Sequence, residues 1–262
     1  MAIRATDAAQ RALAIAPDAP DVHIALALAA RARGAVQTWR REAERAAELD
    51  PRAAEAYALL GDSYSSMVYA CDRDIDAERA DEYYRQALRL KPDLTTAVSN
   101  RATNLRRIGR YAECIALVDQ ALESLSDEAP LVLVRGGCRL MQGDLVGAGQ
   151  DIEPLRRHPK VSPAGSLVLL GLLALKRGDV DAGVRDLEAV ANLRQSAQSE
   201  LFVAEAYAAV KDIPRLTVHL KRAFEMDASC TRFVKASPAF RAVRDTPPVT
   251  RLLDEYGVRR PE

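Results

Sequence analysis

Between residues 54 and 92 the chain reads AEAYALLGDSYSSMVYACDRDIDAERADEYYRQALRLKP. Tyr57, Leu60, Gly61 and Tyr64 fall at helical spacing in its first part, and Ala80, Tyr84 and Ala87 in its second, which Pro92 closes. Each set makes one amphipathic stripe, and the stripes alternate small with large residues. Small residues at Gly61, Ala80 and Ala87 let two helices approach closely, while Tyr57, Leu60, Tyr64 and Tyr84 fill the space left to the next pair. Seven residues in the middle of the stretch are an insertion into this pattern.

Working outward, Ala-Ala-Glu-Leu-Asp-Pro51 precedes the stretch and Ala-Leu-Ala-Ile-Ala-Pro17 lies 34 residues earlier. Both words match Ala87-Leu-Arg-Leu-Lys-Pro92, so the chain is internally repetitive. The pattern resembles the tetratricopeptide repeat, with eight consensus positions in register across one gap. The resemblance implies an all-α fold, an α-solenoid superhelix of stacked antiparallel helix pairs. Carrying the frame along gives repeats at 20–53, 54–94, 95–128, 129–163, 164–196 and 197–230, starting near Pro20, Ala54, Thr95, Ala129, Ala164 and Ala197. Gly34, Gly109, Gly143 and Gly178 close first helices, Ala102, Gly136, Gly171 and Ala204 repeat their small contact position, and Cys114, Ala148 and Gly183 that of the second helices.

The pattern thins where Lys211 replaces the turn glycine and where Ser126, Lys160, Gln195 and Ala228 replace the closing proline. Residues 1–19 read as a second helix without its first, either a cap or the continuation of a longer array upstream. Residues 231–262 carry Ser237-Pro238 and Thr246-Pro247, helix-start signals for a cap in which Phe233, Phe240, Val243, Val249, Leu252 and Leu253 cover the last repeat. Phe240-Arg-Ala-Val-Arg and Pro248-Val-Thr-Arg-Leu-Leu253 resemble the closing words of tetratricopeptide arrays attached to bacterial kinases and adenylyl cyclases. That second resemblance covers about twenty residues and implies an alternative role, as a regulatory or sensory segment of a larger signalling enzyme.

Composition agrees with a helical globular chain: 262 residues, 48% apolar, 5% aromatic, and 37 basic against 37 acidic side chains. Zero formal charge excludes a general basic field for nucleic acid, and Glu55, Asp62 and Glu205 interrupt any basic inner face. The longest apolar run, Leu167 to Leu175, is far below membrane-spanning length. Arg4, Asp7, Gln10 and Arg11 break up any signal-peptide core. Cys71, Cys114, Cys138 and Cys230 form no CxxC pair, so the sequence predicts reduced thiols in a cytoplasmic setting, with Cys114 and Cys138 buried and Cys71 exposed.

Chemistry is sparse. There is no phosphate loop, nucleophile elbow or zinc-protease motif, and His23, His158 and His219 fall in different repeats, so no enzyme, metal or cofactor is expected. Asp72, Asp74 and Asp76 alternate like the start of a calcium loop, but Ala77 stands at its glycine and Tyr83 at its glutamate. The preferred reading is a helix cap from Asp74 or Asp76. Trp39 is expected in the core.

What remains is the groove that the family's first helices line, where partner peptides contact positions 2, 5, 9, 12 and 13 of each repeat. Here those positions supply Glu55, Asp62, Ser65 and Ser66, then Thr96, Ser99, Thr103, Arg106 and Arg107 with Asn100 beside them. Farther on they supply Leu133, Leu140 and Met141, then Val168, Leu172 and Leu175, then Leu201 with Phe202. Relatives that clamp the carboxyl tails of heat-shock chaperones share only Asn100 with this set. The expectation is a non-catalytic protein-binding scaffold that holds a segment with an apolar face on the leucines and an acidic side chain on Arg106 and Arg107. The chain's own terminal helices are the other candidate to cover that face.

Overall fold

The computed structural model describes residues 2–65, 76–125, 128–193 and 196–257, with side chains from residue 7 onward. Described residues form helices and no strand. In chain order these are α1 (Ala2–Ile15), α2 (Pro20–Ala32), α3 (Val36–Leu49), α4 (Ala54–Tyr64), α5 (Ala77–Leu90), α6 (Thr95–Arg107), α7 (Tyr111–Leu122) and α8 (Ala129–Gln142). Then come α9 (Leu145–Ile152), α10 (Pro163–Lys176), α11 (Val180–Leu193), α12 (Ala197–Ala209), α13 (Ile213–Met226), α14 (Cys230–Ala236) and α15 (Pro247–Gly257).

Two compact units result. The first holds α1 to α5 and α6 as far as Leu105; the second runs from Arg106 to the carboxyl end. In the first unit α2 packs on α3 and α4 on α5, and α2 also touches α4. Its core joins Trp39, Tyr57 and Leu60 with Ala27, Ala30, Ala43 and Ala87, so Trp39 is buried as expected. In the second unit α8 pairs with α9, α10 with α11 and α12 with α13, while α10 also contacts α8 and α12. Within each unit consecutive pairs meet, through α3 and α4 in the first and through α9 and α10 and α11 and α12 in the second, which is the stacked architecture of a helical repeat.

Close packing comes from small residues opposite large ones. A Cβ on Gly61 would lie 2.6 Å from the Tyr84 ring, and one on Gly136 would lie 2.6 Å from Ile152. Between α10 and α11, Cβ atoms at Gly171 and Gly183 would stand 3.1 and 3.0 Å from each other's carbonyl oxygens. Backbone meets backbone there.

Three turns share one chemistry. Gly143 and Gly178 have φ of 99° and 87°, and the amide of the following Asp reaches back to the carbonyl five residues earlier, Asp144 to Arg139 and Asp179 to Ala174, both at 2.9 Å. The same Asp side chains then accept from Gly147 and Ala182 N–H at 2.8 and 3.0 Å and so start the next helix. Lys211 keeps this geometry without glycine: its φ is 58°, Asp212 N–H reaches Tyr207 at 3.0 Å, and the Asp212 carboxylate accepts from Arg215 N–H at 3.1 Å. The turn geometry is therefore kept at Lys211, where the sequence pattern lacks its glycine. Asp76 likewise caps α5 through Arg79 N–H at 3.0 Å; Asp72 and Asp74 lie outside the described residues.

At the carboxyl end, Ser237 caps a 3-10 turn at Pro238–Phe240 that packs on α12, and α14 and α15 pack on α13. Phe233, Phe240, Val243, Val249 and Leu253 are buried there.

The cysteines correct the sequence reading. Cys114 of α7 and Cys138 of α8 form a disulfide, with Cα atoms 6.4 Å apart, and Cys230 is also disulfide-bonded. Reduced thiols were expected because the cysteines form no CxxC pair and the chain is far larger than the small domains that depend on disulfides. The two helices, 24 residues apart at these positions, bring small contact residues face to face. Cys71 lies outside the described residues.

Two stability changes are expected. Lys211→Gly removes the cost of a left-handed Lys and should raise stability by about 1 kcal/mol in urea unfolding. Cys114→Ala with Cys138→Ala should lower it by roughly 3 kcal/mol, measured against the oxidised chain.

Candidate partner-binding site

The first-helix positions of the two units behave differently. In the first unit Asp62, buried on α4, is a hub. Its Oδ1 accepts from the Tyr84 hydroxyl at 2.8 Å and from Asn100 Nδ2 at 2.6 Å, and its Oδ2 from Arg31 at 2.6 Å. Burial pushes the Asp62 carboxyl above the usual range, while the Tyr84 hydrogen bond, the Arg31 charge and the Asn100 hydrogen bond pull it back. Helices α2, α4, α5 and α6 are thereby joined at one carboxylate. Asn100 is engaged with Asp62, and the Thr103 hydroxyl donates to the Ser99 carbonyl at 2.9 Å. Ser99 itself is half-buried.

Near the end of α4, Tyr64 lies between two guanidinium groups, Arg40 at 3.9 Å and Arg79 at 4.4 Å from the ring centre. Tyr83 stacks alongside at 5.7 Å. Arg79, Tyr83, Arg85 and Arg89 line a shallow recess of about 400 Å³ on α5. Sequence patterning placed Tyr64 in the repeat core and gave no sign of this stack, which joins residues from three helices.

In the second unit the last turn of α6 faces α12. The Arg107 guanidinium lies 5.9 Å from the Phe202 ring centre. The Arg106 stem runs along α8, its Cδ 3.2 Å from where a Cβ on Gly137 would be. Burial and then the like charge of Arg107 pull the Arg106 pKa down, whereas Glu205 and Tyr111 act the other way.

Among the leucines of the expected groove, Leu140, Leu172 and Leu201 are 0%, 4% and 1% exposed, so they form the floor beneath a surface rather than the surface itself. Leu133 packs beside Ala129, Leu155 and Val161, and Leu175 packs over Gly183. Val168, Phe202 and Met141 are half-buried and hold the accessible part. Arg156, from the second basic run, is an internal tie: both its terminal nitrogens reach Asp186, at 2.9 and 2.7 Å. Arg135 holds Asp151 and Asp119 in the same way, and these carboxylates raise its pKa.

His219 and His23 are structural too. His219 Nδ1 lies 2.6 Å from Glu200, its ring stacked on Tyr207, and His23 Nδ1 lies 2.9 Å from Glu42. No helix among the described residues is long and apolar enough to cross a membrane.

No protein-family model matches the sequence, and no curated protein matches it. Solved structures do resemble the fold. The hetero-tetramer of the APC/C proteins Cut9 and Hcn1 aligns over 98% of this chain and 46% of that one, with a TM-score of 0.69 at 14% identity. The chain thus spans about half the length of that neighbour. YrrB, a tetratricopeptide-repeat protein described with an unusual peptide-binding site, aligns over 78% of this chain and 98% of its own, with a TM-score of 0.50 at 16% identity. The human IFIT1 dimer with m7Gppp-AAAA aligns over 83% of this chain and 55% of its own, with a TM-score of 0.58 at 16% identity. At these identities the likeness is one of fold, and the fold is that of tetratricopeptide-repeat proteins.

Asp62→Ala should cost about 3 kcal/mol in urea unfolding, because it strands a guanidinium, a phenol and an amide around an empty site. Asn100→Ala, which removes one of its donors and leaves Tyr84 and Arg31, should cost about 1 kcal/mol.

Proposed function

We propose that the chain is a non-catalytic protein-interaction scaffold. Its recognition surface is the first-helix face of the second unit, where a partner segment lays an apolar face over Val168 and Phe202 and sets an acidic side chain near Arg106 and Arg107. The observation that carries this is the opposition of Arg107 and Phe202, which puts a cationic and an aromatic group on one face above a floor of buried leucines. Aromatic and Arg side chains over a desolvated floor are the groups that dominate protein interfaces. The terminal turn at Pro238–Phe240 packs on α12, so part of that helix is covered by the chain itself. Nucleic acid is disfavoured as the occupant because Glu205 shares this face with the arginines.

The oxidised pair Cys114 and Cys138 supports an oxidising compartment as the place where the folded chain works, in place of the cytoplasm. The same pair, buried at 0% exposure on both sides, supports a structural bond rather than a reactive one.

Photo-crosslinking residues at Val168 and Phe202 should give adducts with partner protein in source extracts. The same probe at Val146 and Val218, exposed on second helices α9 and α13, should not. Equal yields from both sets, or yields from the second-helix set alone, would remove the surface from consideration.

A further inference from the structure

We infer that the recess on α5 is a binding site for a small phosphate monoester with a flat organic body, its phosphoryl group held between Arg85 and Arg89 and its body laid against Tyr83 and Arg79. The site belongs to the first unit and does not depend on the partner surface proposed above. Its volume of about 400 Å³ lies in the range of small-molecule sites, and Arg79, Glu82, Tyr83, Arg85, Gln86 and Arg89 line it. Three guanidinium groups therefore face one carboxylate, in a chain whose formal charge is zero.

The positive charge is not answered from within. Arg85 meets Asp81 at 2.9 Å, but Asp81 also takes Arg101 at 2.7 Å, so one carboxylate serves two cations. Among the described residues, the side chains of Arg89 and Glu82 make no hydrogen bond and no ion pair. Arg85 and Arg89 are one turn apart on the same helix, where like charges oppose each other. A phosphate monoester carries close to two charges on one group and offers oxygens that match the guanidinium fork, so it answers both arginines at once. A carboxylate brings a single charge.

The other end of the recess is already in place. The Arg79 guanidinium lies 4.4 Å from the Tyr64 ring centre and 5.9 Å from that of Tyr83, and the two rings stack at 5.7 Å. A hydrogen bond with Tyr83 holds the Arg79 pKa above its usual value. Tyr83 is half-buried, so a flat group can still reach it. Tyr83 and Arg89 stand about 9 Å apart along the helix axis, a span that a phosphorylated ring and two side chains bridge. Glu82, on the stripe that holds Arg85 and Arg89, repels the further charges of a polyphosphate and so limits the site to one phosphoryl group.

The test is isothermal titration calorimetry of the whole oxidised chain with phenyl phosphate and with inorganic phosphate, at low salt. Wild type should bind one phenyl phosphate, at least ten-fold tighter than inorganic phosphate. Arg89→Gln should weaken both ten-fold or more, and Tyr83→Ala should remove the advantage of the ring while inorganic phosphate binds as before. Glu82→Gln should tighten both several-fold. Arg41→Gln, at an exposed arginine outside the recess, should change neither. Circular dichroism checks each fold, and if Tyr83→Ala does not fold, Glu82→Gln and Arg89→Gln carry the comparison. No saturable binding, equal affinity for the two probes, or a loss with Arg41→Gln as large as with Arg89→Gln would overturn the site.

Discussion

Two helices can share an axis separation small enough for backbone to touch backbone only where side chains are nearly absent, and this fold depends on small residues at the contacts of α4 with α5, α8 with α9 and α10 with α11. Gly171 and Gly183 meet it most directly, each lying under the other's carbonyl. Gly61 beneath Tyr84 and Gly136 beneath Ile152 meet it with a large partner filling the gap. Once one pair is so closed, its outer faces offer ridges of defined height to the next pair, and the same solution can be repeated along the chain. Alanine richness and aromatic scarcity in the composition follow from this geometry.

Helix starts, turn glycines and small contact positions were legible in the sequence because each is set by residues within one repeat. The Lys211 turn shows the limit of that reading. Its flanking Tyr207 and Asp212 keep the hydrogen bonds of the glycine turns, so the bond pattern rather than the glycine defines the motif. Pairings across repeats were not legible. The Cys114 bond, the Asp62 hub and the Tyr64 stack each join residues from different helices, and no spacing rule within a repeat announces them. The groove residues were placed on a common helix face, but periodicity does not distinguish a floor from a rim, and Leu140, Leu172 and Leu201 turned out to be floor.

Zero net charge conceals a strongly organised interior. Asp62, Asp81, Asp151 and Asp186 are all buried, and each is met by an arginine: Arg31, Arg101, Arg135 and Arg156 respectively. Every one of these arginines comes from a different helix or turn than its aspartate. Apolar packing of alanines is tolerant of sliding, whereas a buried carboxylate held by a guanidinium from another helix or turn favours a single register. The ties contribute modest net stability and a large penalty for mispairing.

The Cys114 to Cys138 bond has a mechanical consequence. It joins the second helix of one pair to the first helix of the next, so a chain pulled from its ends cannot peel these two pairs apart one after the other. The 24-residue interval between the sulfurs is withheld from extension, about 80 Å of slack that a reduced chain would release. Under load the oxidised junction would keep that length folded until the sulfur bond itself is reduced.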